Sequence, residues 1–200
     1  MTMNRHARLK RFLRSEDGSM AVEFSIVGIL FLIVALAVID MSRLAWELNS
    51  AKAAARAGAR LAVVSLPVAT QLADYDAVST LGLPGGSAVP AGAVPDYVCT
   101  SSGCSNGGTL DTTTFNAIVT RMKRYYGRLT AANVVIEYRH RGLGVAGFIG
   151  PDVEPLVTVK VRNLTFRSAS LQIFGVTGLT VPSVTTTLTG ESLGATSASI

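Results

Sequence analysis

The stretch GSMAVEFSIVGILFLIVALAVI, from Gly18 to Ile39, decides the fold. Its part from Met20 onward is long and apolar enough to cross a bilayer once, because a helical span needs roughly 20 apolar residues. Glu23 interrupts it, and a carboxylate at the centre of a span costs about 2.5 to 3.5 kcal/mol. The sequence therefore predicts a transmembrane helix at about residues 20–40. Glu23 either has a partner there or lies near the membrane edge and reaches the headgroups.

The residues before this stretch form a basic leader, 1–18. It carries +3 of the formal net charge of +5, so the rest of the chain is only weakly basic, which argues against nucleic acid as a partner. Basic residues before a span keep the N-terminus in the cytoplasm. A secretory signal peptide would place its small-residue cleavage site after the apolar run, whereas here Gly18 and Ser19 precede it. The basic residues are Arg5, Arg8, Lys10, Arg11 and Arg14.

Two dipeptides in this region, Gly18-Ser19 and Glu23-Phe24, resemble the N-terminus of the TadE-like pseudopilins of the tight-adherence (Flp) pilus system. In that family a basic leader ends in Gly, a prepilin-type peptidase cuts before the apolar helix, and mature position five is acidic and followed by an aromatic. The resemblance implies cleavage between Gly18 and Ser19. It also implies that Glu23, flanked by Phe24, sets register and recognition between packed subunits by pairing with a neighbour's new amino group.

The helix is predicted to continue to Ser65, because the segment after the span is rich in Ala, lacks Pro, and is followed by Pro67. The run from Ala54 to Arg60 also resembles the family, and its small residues let another element approach the backbone closely. The basic stripe here is either a solvated face or a filament contact. Lys52, Arg56 and Arg60 form the stripe, whereas Leu44, Leu48, Ala51, Ala55 and Leu61 or Ala62 form the apolar face.

The two cysteines, Cys99 and Cys104, lie in a Ser- and Gly-containing loop. They can close a disulfide in an oxidising compartment, which agrees with export, or remain free thiols. Zinc is disfavoured because neither histidine, His6 or His140, lies near them in sequence.

The remaining elements predict an α+β fold, a long N-terminal transmembrane and amphipathic helix with a small antiparallel-sheet, pilin-like globular domain. Residues 68–110 read as loop with at most a short helix at 72–80. A second helix is predicted from the caps at 111–114 to about Tyr126, and a helical turn at 168–175. Strands are predicted at 133–140, 156–162 and 184–189.

Catalytic and cofactor signals are weak. Gly142 to Gly147 fits G-x-G-x-x-G but is followed by Pro151 and lacks the acidic residue that a dinucleotide site needs, so it is interpreted as a hairpin connection. The basic cluster around Tyr125 and Tyr126 is interpreted as a solvated face rather than a nucleic-acid site. We expect no enzyme activity, cofactor, metal or nucleic-acid partner, although an exported hydrolase stays an open alternative.

These observations divide the chain into the leader 1–18, the helix 19–65 and an exported globular domain 66–200. The resemblance implies a minor pseudopilin of the inner membrane, with a periplasmic C-terminal domain and possible incorporation into an extracellular pilus that serves adhesion. Its partners would be membrane lipid, other pilin-like subunits, the prepilin peptidase and the inner-membrane assembly machinery. The alternative is a single-pass envelope protein whose exported domain binds a ligand or partner.

Overall fold

The computed structural model describes residues 17–147, 150–172 and 175–190. The basic leader predicted at 1–18 therefore lies almost entirely outside the described residues. The chain divides into two compact units. The first comprises residues 1–43 and 167–178, and the second comprises residues 44–166 and 179–200.

The first helix, α1, runs from Asp17 to Val64, which confirms the prediction of one long helix through the apolar and Ala-rich segments. It ends shortly before Pro67, which cannot continue a helix because its nitrogen carries no hydrogen. The predicted faces of its second half are also confirmed. Ala51, Ala55 and Ala62 are fully buried, whereas Lys52, Arg56 and Arg60 are exposed.

The second unit is built on a five-stranded antiparallel sheet with the order β2-β1-β3-β4-β7. Its register places Ile136 opposite Val159 and Val159 opposite Thr186. The strands are β1 (Tyr97–Thr100), β2 (Gly103–Cys104), β3 (Val134–Arg139), β4 (Leu156–Val161) and β7 (Val184–Thr189). A separate two-stranded sheet pairs β5 (Leu164–Phe166) with β6 (Leu179–Val181).

The shorter helices are α2 (Ala77–Leu81), α3 (Thr112–Lys123) and α4 (Ala169–Gln172). Asp111 begins α3 as predicted, since its carboxylate accepts hydrogen bonds from the Thr113 and Thr114 amides at 2.9 and 3.3 Å. The helix ends earlier than the predicted limit at Tyr126, although that side chain is still buried. Two 3₁₀ turns, Thr70–Leu72 and Ala131–Asn133, complete the helical elements of the described residues.

The segment 68–110 is more ordered than the predicted loop. It contains β1 and β2, which add a hairpin to the edge of the sheet, and Cys99 lies opposite Cys104 in that hairpin. The two cysteines are joined in a disulfide. These strands are too short to show alternation over several residues, which is why the pattern of the sequence missed them.

The buried centre of the second unit lies between α1, α3 and the sheet. A β-carbon at Gly58 would lie 2.6 Å from Met122 Sδ of α3 and 3.4 Å from Val159 Cγ1 of β4, so only glycine fits this contact without a shift. Glu137 of β3 is a charged side chain that this packing buries. It forms ion pairs with Arg139 and Lys160, which compensate its charge.

Candidate assembly surface

The apolar part of α1 is a helix without an internal partner. The helix has the length and composition of a membrane span, with a mean hydropathy of 2.8 over its most apolar window. None of that window is buried by the rest of the described chain. A contiguous apolar surface of this size requires lipid or neighbouring helices to cover it. The long apolar helix thus acts as a single-pass membrane anchor.

The four residues proposed for processing and assembly lie together in the first turns of α1. Gly18, Ser19, Glu23 and Phe24 are all exposed, and Phe24 exposes 79% of its surface. A β-carbon added at Gly18 would meet nothing within 4 Å. The bond between Gly18 and Ser19 is therefore sterically accessible from the side of the glycine.

Hydroxyl groups along the apolar run are satisfied by the helix itself. Ser25 Oγ donates to the Ala21 carbonyl at 2.7 Å, and Ser42 Oγ donates to the Val38 carbonyl at 3.0 Å. Glu23 differs, because within the part of the chain that the structure describes no hydrogen bond or ion pair reaches its carboxylate. Glu23 is thus free to take a partner from another molecule.

Asp40 ends the apolar run and joins α1 to the segment 167–178 of the same unit. Its carboxylate accepts hydrogen bonds from the Ser168 hydroxyl at 2.6 Å, the Ser170 amide at 2.7 Å, the Ser170 hydroxyl at 2.8 Å and the Ala169 amide at 3.1 Å. Only 5% of Asp40 is exposed. These hydrogen bonds, which we call the Asp40 clasp, fix the start of α4 against α1. The sequence pattern did not indicate this role, because the partners lie more than 120 residues apart in the chain.

Glu47 makes the corresponding tie within the second unit. Glu47 is only 6% exposed. Its carboxylate pairs with Arg128 and accepts a hydrogen bond from the Tyr126 hydroxyl at 3.4 Å. Burial raises the pKa of Tyr126, and the neighbouring Glu47 charge raises it further. The phenol is therefore held in the neutral form that donates to Glu47.

A protein-family model described as TadE-like protein matches residues 18–60, which include most of α1. Residues 18–60 are TadE-like. The match confirms the resemblance seen in the sequence over this segment, which is about a fifth of the chain. No curated protein matches the chain, and no solved structure matches it.

The TadE-like segment begins at Gly18 and ends at Arg60, so it covers both the apolar run and the small-residue stretch. Within that stretch Ala54, Ala55, Gly58 and Ala59 are buried in the second unit. The small residues thus allow α3 and β4 of the same chain to approach α1 closely. The arginines between them point outward.

The glycine motif outside the TadE-like segment has a structural role. Gly144 has a φ of +131°, and a β-carbon there would lie 2.1 Å from the Asp152 carbonyl oxygen, so the position requires glycine. Ala146 exchanges backbone hydrogen bonds with Ser87 and Gly86, each at 2.8 Å. The motif therefore packs the connection between β3 and β4 against residues 86–89.

Among the described residues, no group of three potential metal ligands is found.

Proposed function

We propose that this protein is a minor pilin-like subunit, a pseudopilin, required for assembly of a bacterial tight-adherence pilus and matured by prepilin-type cleavage between Gly18 and Ser19. The proposal rests on an exposed apolar helix that contains Glu23, five residues beyond Gly18. Among the described residues, no side chain pairs with the Glu23 carboxylate. The TadE-like match over the same helix supports the proposal.

Cleavage would create a cation beside this carboxylate. The new amino group on Ser19 has an ordinary pKa of about 8 and is mostly protonated at neutral pH. When two such helices pack in low dielectric, Glu23 of one neutralises the amino group of the other, and an unpaired carboxylate is costly there. The pairing would favour one axial register between subunits, with Phe24 packing beside it.

The scissile bond lies in the first turn of α1. A peptidase that grips an extended strand must therefore unwind this turn. Unwinding costs little at a helix end, because the first amide N–H groups of a helix donate to no carbonyl within the helix and the ends fray. Gly18 also leaves the backbone uncovered by a side chain.

The proposed arrangement has a leader 1–18 in the cytoplasm, the helix 19–65 in and beyond the inner membrane, and residues 66–200 in the periplasm or on the fibre. The peptidase, other pilin-like subunits and the assembly machinery of the inner membrane are the proposed partners. The protein would act through packing of helices, with no reaction of its own.

The test is the intact mass of the protein from native membranes. A species that starts at Ser19 supports the proposal, and Gly18→Leu should remain full length. Gly28→Leu is the matched control, because Gly28 also has nothing within 4 Å but lies beyond the cleavage site. Glu23→Ala should be inserted and cut but absent from sheared pili, whereas Ser25→Ala should assemble.

Full-length wild-type protein in the mass spectrum would overturn processing. It would favour the alternative of a single-pass envelope protein that retains its leader and acts through its globular domain. An uncut Glu23→Ala variant would instead show that the carboxylate serves the peptidase, so that processing and assembly are not separate roles.

A further inference from the structure

The structure brings together two basic stripes that are far apart in sequence. Arg56 and Arg60, one turn apart on α1, line a groove of about 880 Å³ together with Arg121 of α3 and Arg124, which directly follows α3. All four side chains are exposed. Among the described residues, none of the four is ion-paired with a carboxylate.

Small apolar side chains, which we call the floor of the groove, line it together with the arginines. They are Ala53 and Ala57 of α1 and Ala117 of α3, with Leu61 and Val64 toward the end of α1 and the polar Asn116 and Thr120 beside them on α3. Helices pack with their axes about 8 to 10 Å apart, and small residues permit the closer end of this range. The groove between two helices therefore has the form that accepts a third helix.

We propose that this groove, which we call the α1/α3 groove, binds an acidic amphipathic helix of a partner protein. The apolar face of that helix would cover the alanines, and its carboxylates would pair with arginines on both walls. Arginine suits this role because its planar fork binds carboxylates in a bidentate manner and is more weakly hydrated than a lysine ammonium.

The lining argues for a protein helix over a single-stranded nucleic acid. Among the described residues, Tyr125 is the one aromatic side chain of the lining, and Arg121 already lies over its ring at 5.9 Å from the centroid. A single-stranded nucleic acid needs several aromatic faces for successive bases. An apolar floor gains free energy only when an apolar surface covers it.

The proposal goes beyond the pseudopilin function and does not depend on processing at Gly18, since all its residues lie in the second unit. Its failure and that of the proposed function are thus separate results.

The experiment measures binding of a labelled synthetic peptide to the full-length protein in detergent by fluorescence anisotropy. The peptide is designed to form an amphipathic helix. Ala and Leu make up its apolar face, and Glu residues lie along both edges of that face. A second peptide carries Gln in place of every Glu. We expect the Glu peptide to bind, to weaken with added salt, and to bind at least about tenfold more tightly than the Gln peptide.

Two double variants test the position of the site. Arg56→Gln with Arg121→Gln removes one charge from each wall and should weaken binding at least about tenfold. Lys52→Gln with Lys123→Gln removes the same charge from the same two helices outside the groove and should leave affinity within about twofold. Ala117→Leu should block binding by filling the floor, without loss of charge.

Three results would overturn the proposal. One is equal weakening by both double variants, which would show a general charge effect. Another is equal binding of the Glu and Gln peptides. The third is displacement of the labelled Glu peptide by heparin at a lower concentration of negative charges than unlabelled Glu peptide needs. This would show that the groove binds polyanions in general. Circular dichroism of each variant establishes that the helices are intact.

Discussion

Single residues tie distant parts of this chain together, and Tyr138 is the clearest case in the second unit. Its hydroxyl accepts a hydrogen bond from the Val68 amide at 2.9 Å, and both residues are buried. Tyr138→Phe should therefore lower the free energy of unfolding by about 1–3 kcal/mol, because the Val68 N–H is left buried and unpaired. Chemical denaturation followed by circular dichroism measures this. Tyr125→Phe, at an exposed tyrosine, should change stability by less than about 0.5 kcal/mol.

The same residue predicts a pH dependence. Burial raises the pKa of Tyr138 above its ordinary value of about 10, the Val68 hydrogen bond lowers it, and the charge of Asp111 raises it. A group with a raised pKa in the folded state contributes its stability fully below the unfolded pKa, and loses it as the pH rises toward the folded value. The stability of the wild type should thus fall above about pH 10 more steeply than that of Tyr138→Phe. Parallel curves for the two proteins would contradict this.

Asp40 gives a second prediction at the residue scale. In Asp40→Ala, the amides of Ala169 and Ser170 lose their acceptor. Their hydrogen exchange should become faster, because protection at this site depends on the clasp rather than on the short helix α4. Exchange measured by mass spectrometry on the detergent-solubilised protein tests this, with Asp96→Ala as the control, since this half-exposed carboxylate pairs with Arg141 outside the clasp. Unchanged exchange in Asp40→Ala would show that the clasp does not hold the segment.

The longer helices and strands follow from the sequence pattern, whereas the shorter ones do not. Helix α1 and strands β3, β4 and β7 were predictable because their periodicity extends over several residues and is set by burial of one face. Strands β1, β2, β5 and β6 have four residues or fewer, and their pairing depends on neighbours elsewhere in the chain. The Asp40 clasp and the meeting of the two arginine stripes were equally hidden, since each joins residues that only the fold brings together.

Packing of α1 against α3 predicts a cost for a larger residue at Gly58. In Gly58→Val, the side chain must displace Met122 from a fully buried position, so the variant should lose about 1–3 kcal/mol through overpacking. The thermal unfolding midpoint measured by circular dichroism should fall. Gly28→Val makes the same change in the same helix where nothing lies within 4 Å, and should leave the midpoint unchanged. An equal fall of the midpoint in both variants would contradict overpacking at Gly58 and would show that the loss arises from helix propensity alone.

The whole molecule predicts a single orientation in the membrane. A basic leader before an apolar helix should keep the N-terminus in the cytoplasm, and the Cys99–Cys104 disulfide favours an oxidising compartment for the globular residues. Protease added to spheroplasts should therefore digest residues beyond the span, whereas inverted membrane vesicles should protect them. A cytoplasmic marker protein, protected in intact spheroplasts, serves as the control.

Charge in the leader should control this orientation. When Arg5, Arg8 and Arg11 are replaced by Ser, the leader loses its whole net charge of +3, and a fraction of the chains should insert with the opposite orientation. In those chains the cysteines face the reducing cytoplasm, so the mass of this fraction should no longer increase by two hydrogens on reduction. Protection of the globular residues in wild-type spheroplasts, together with free thiols at Cys99 and Cys104, would contradict export of this domain. The same result would remove the pilus as its place of action, because a fibre subunit must be presented outside the cytoplasm.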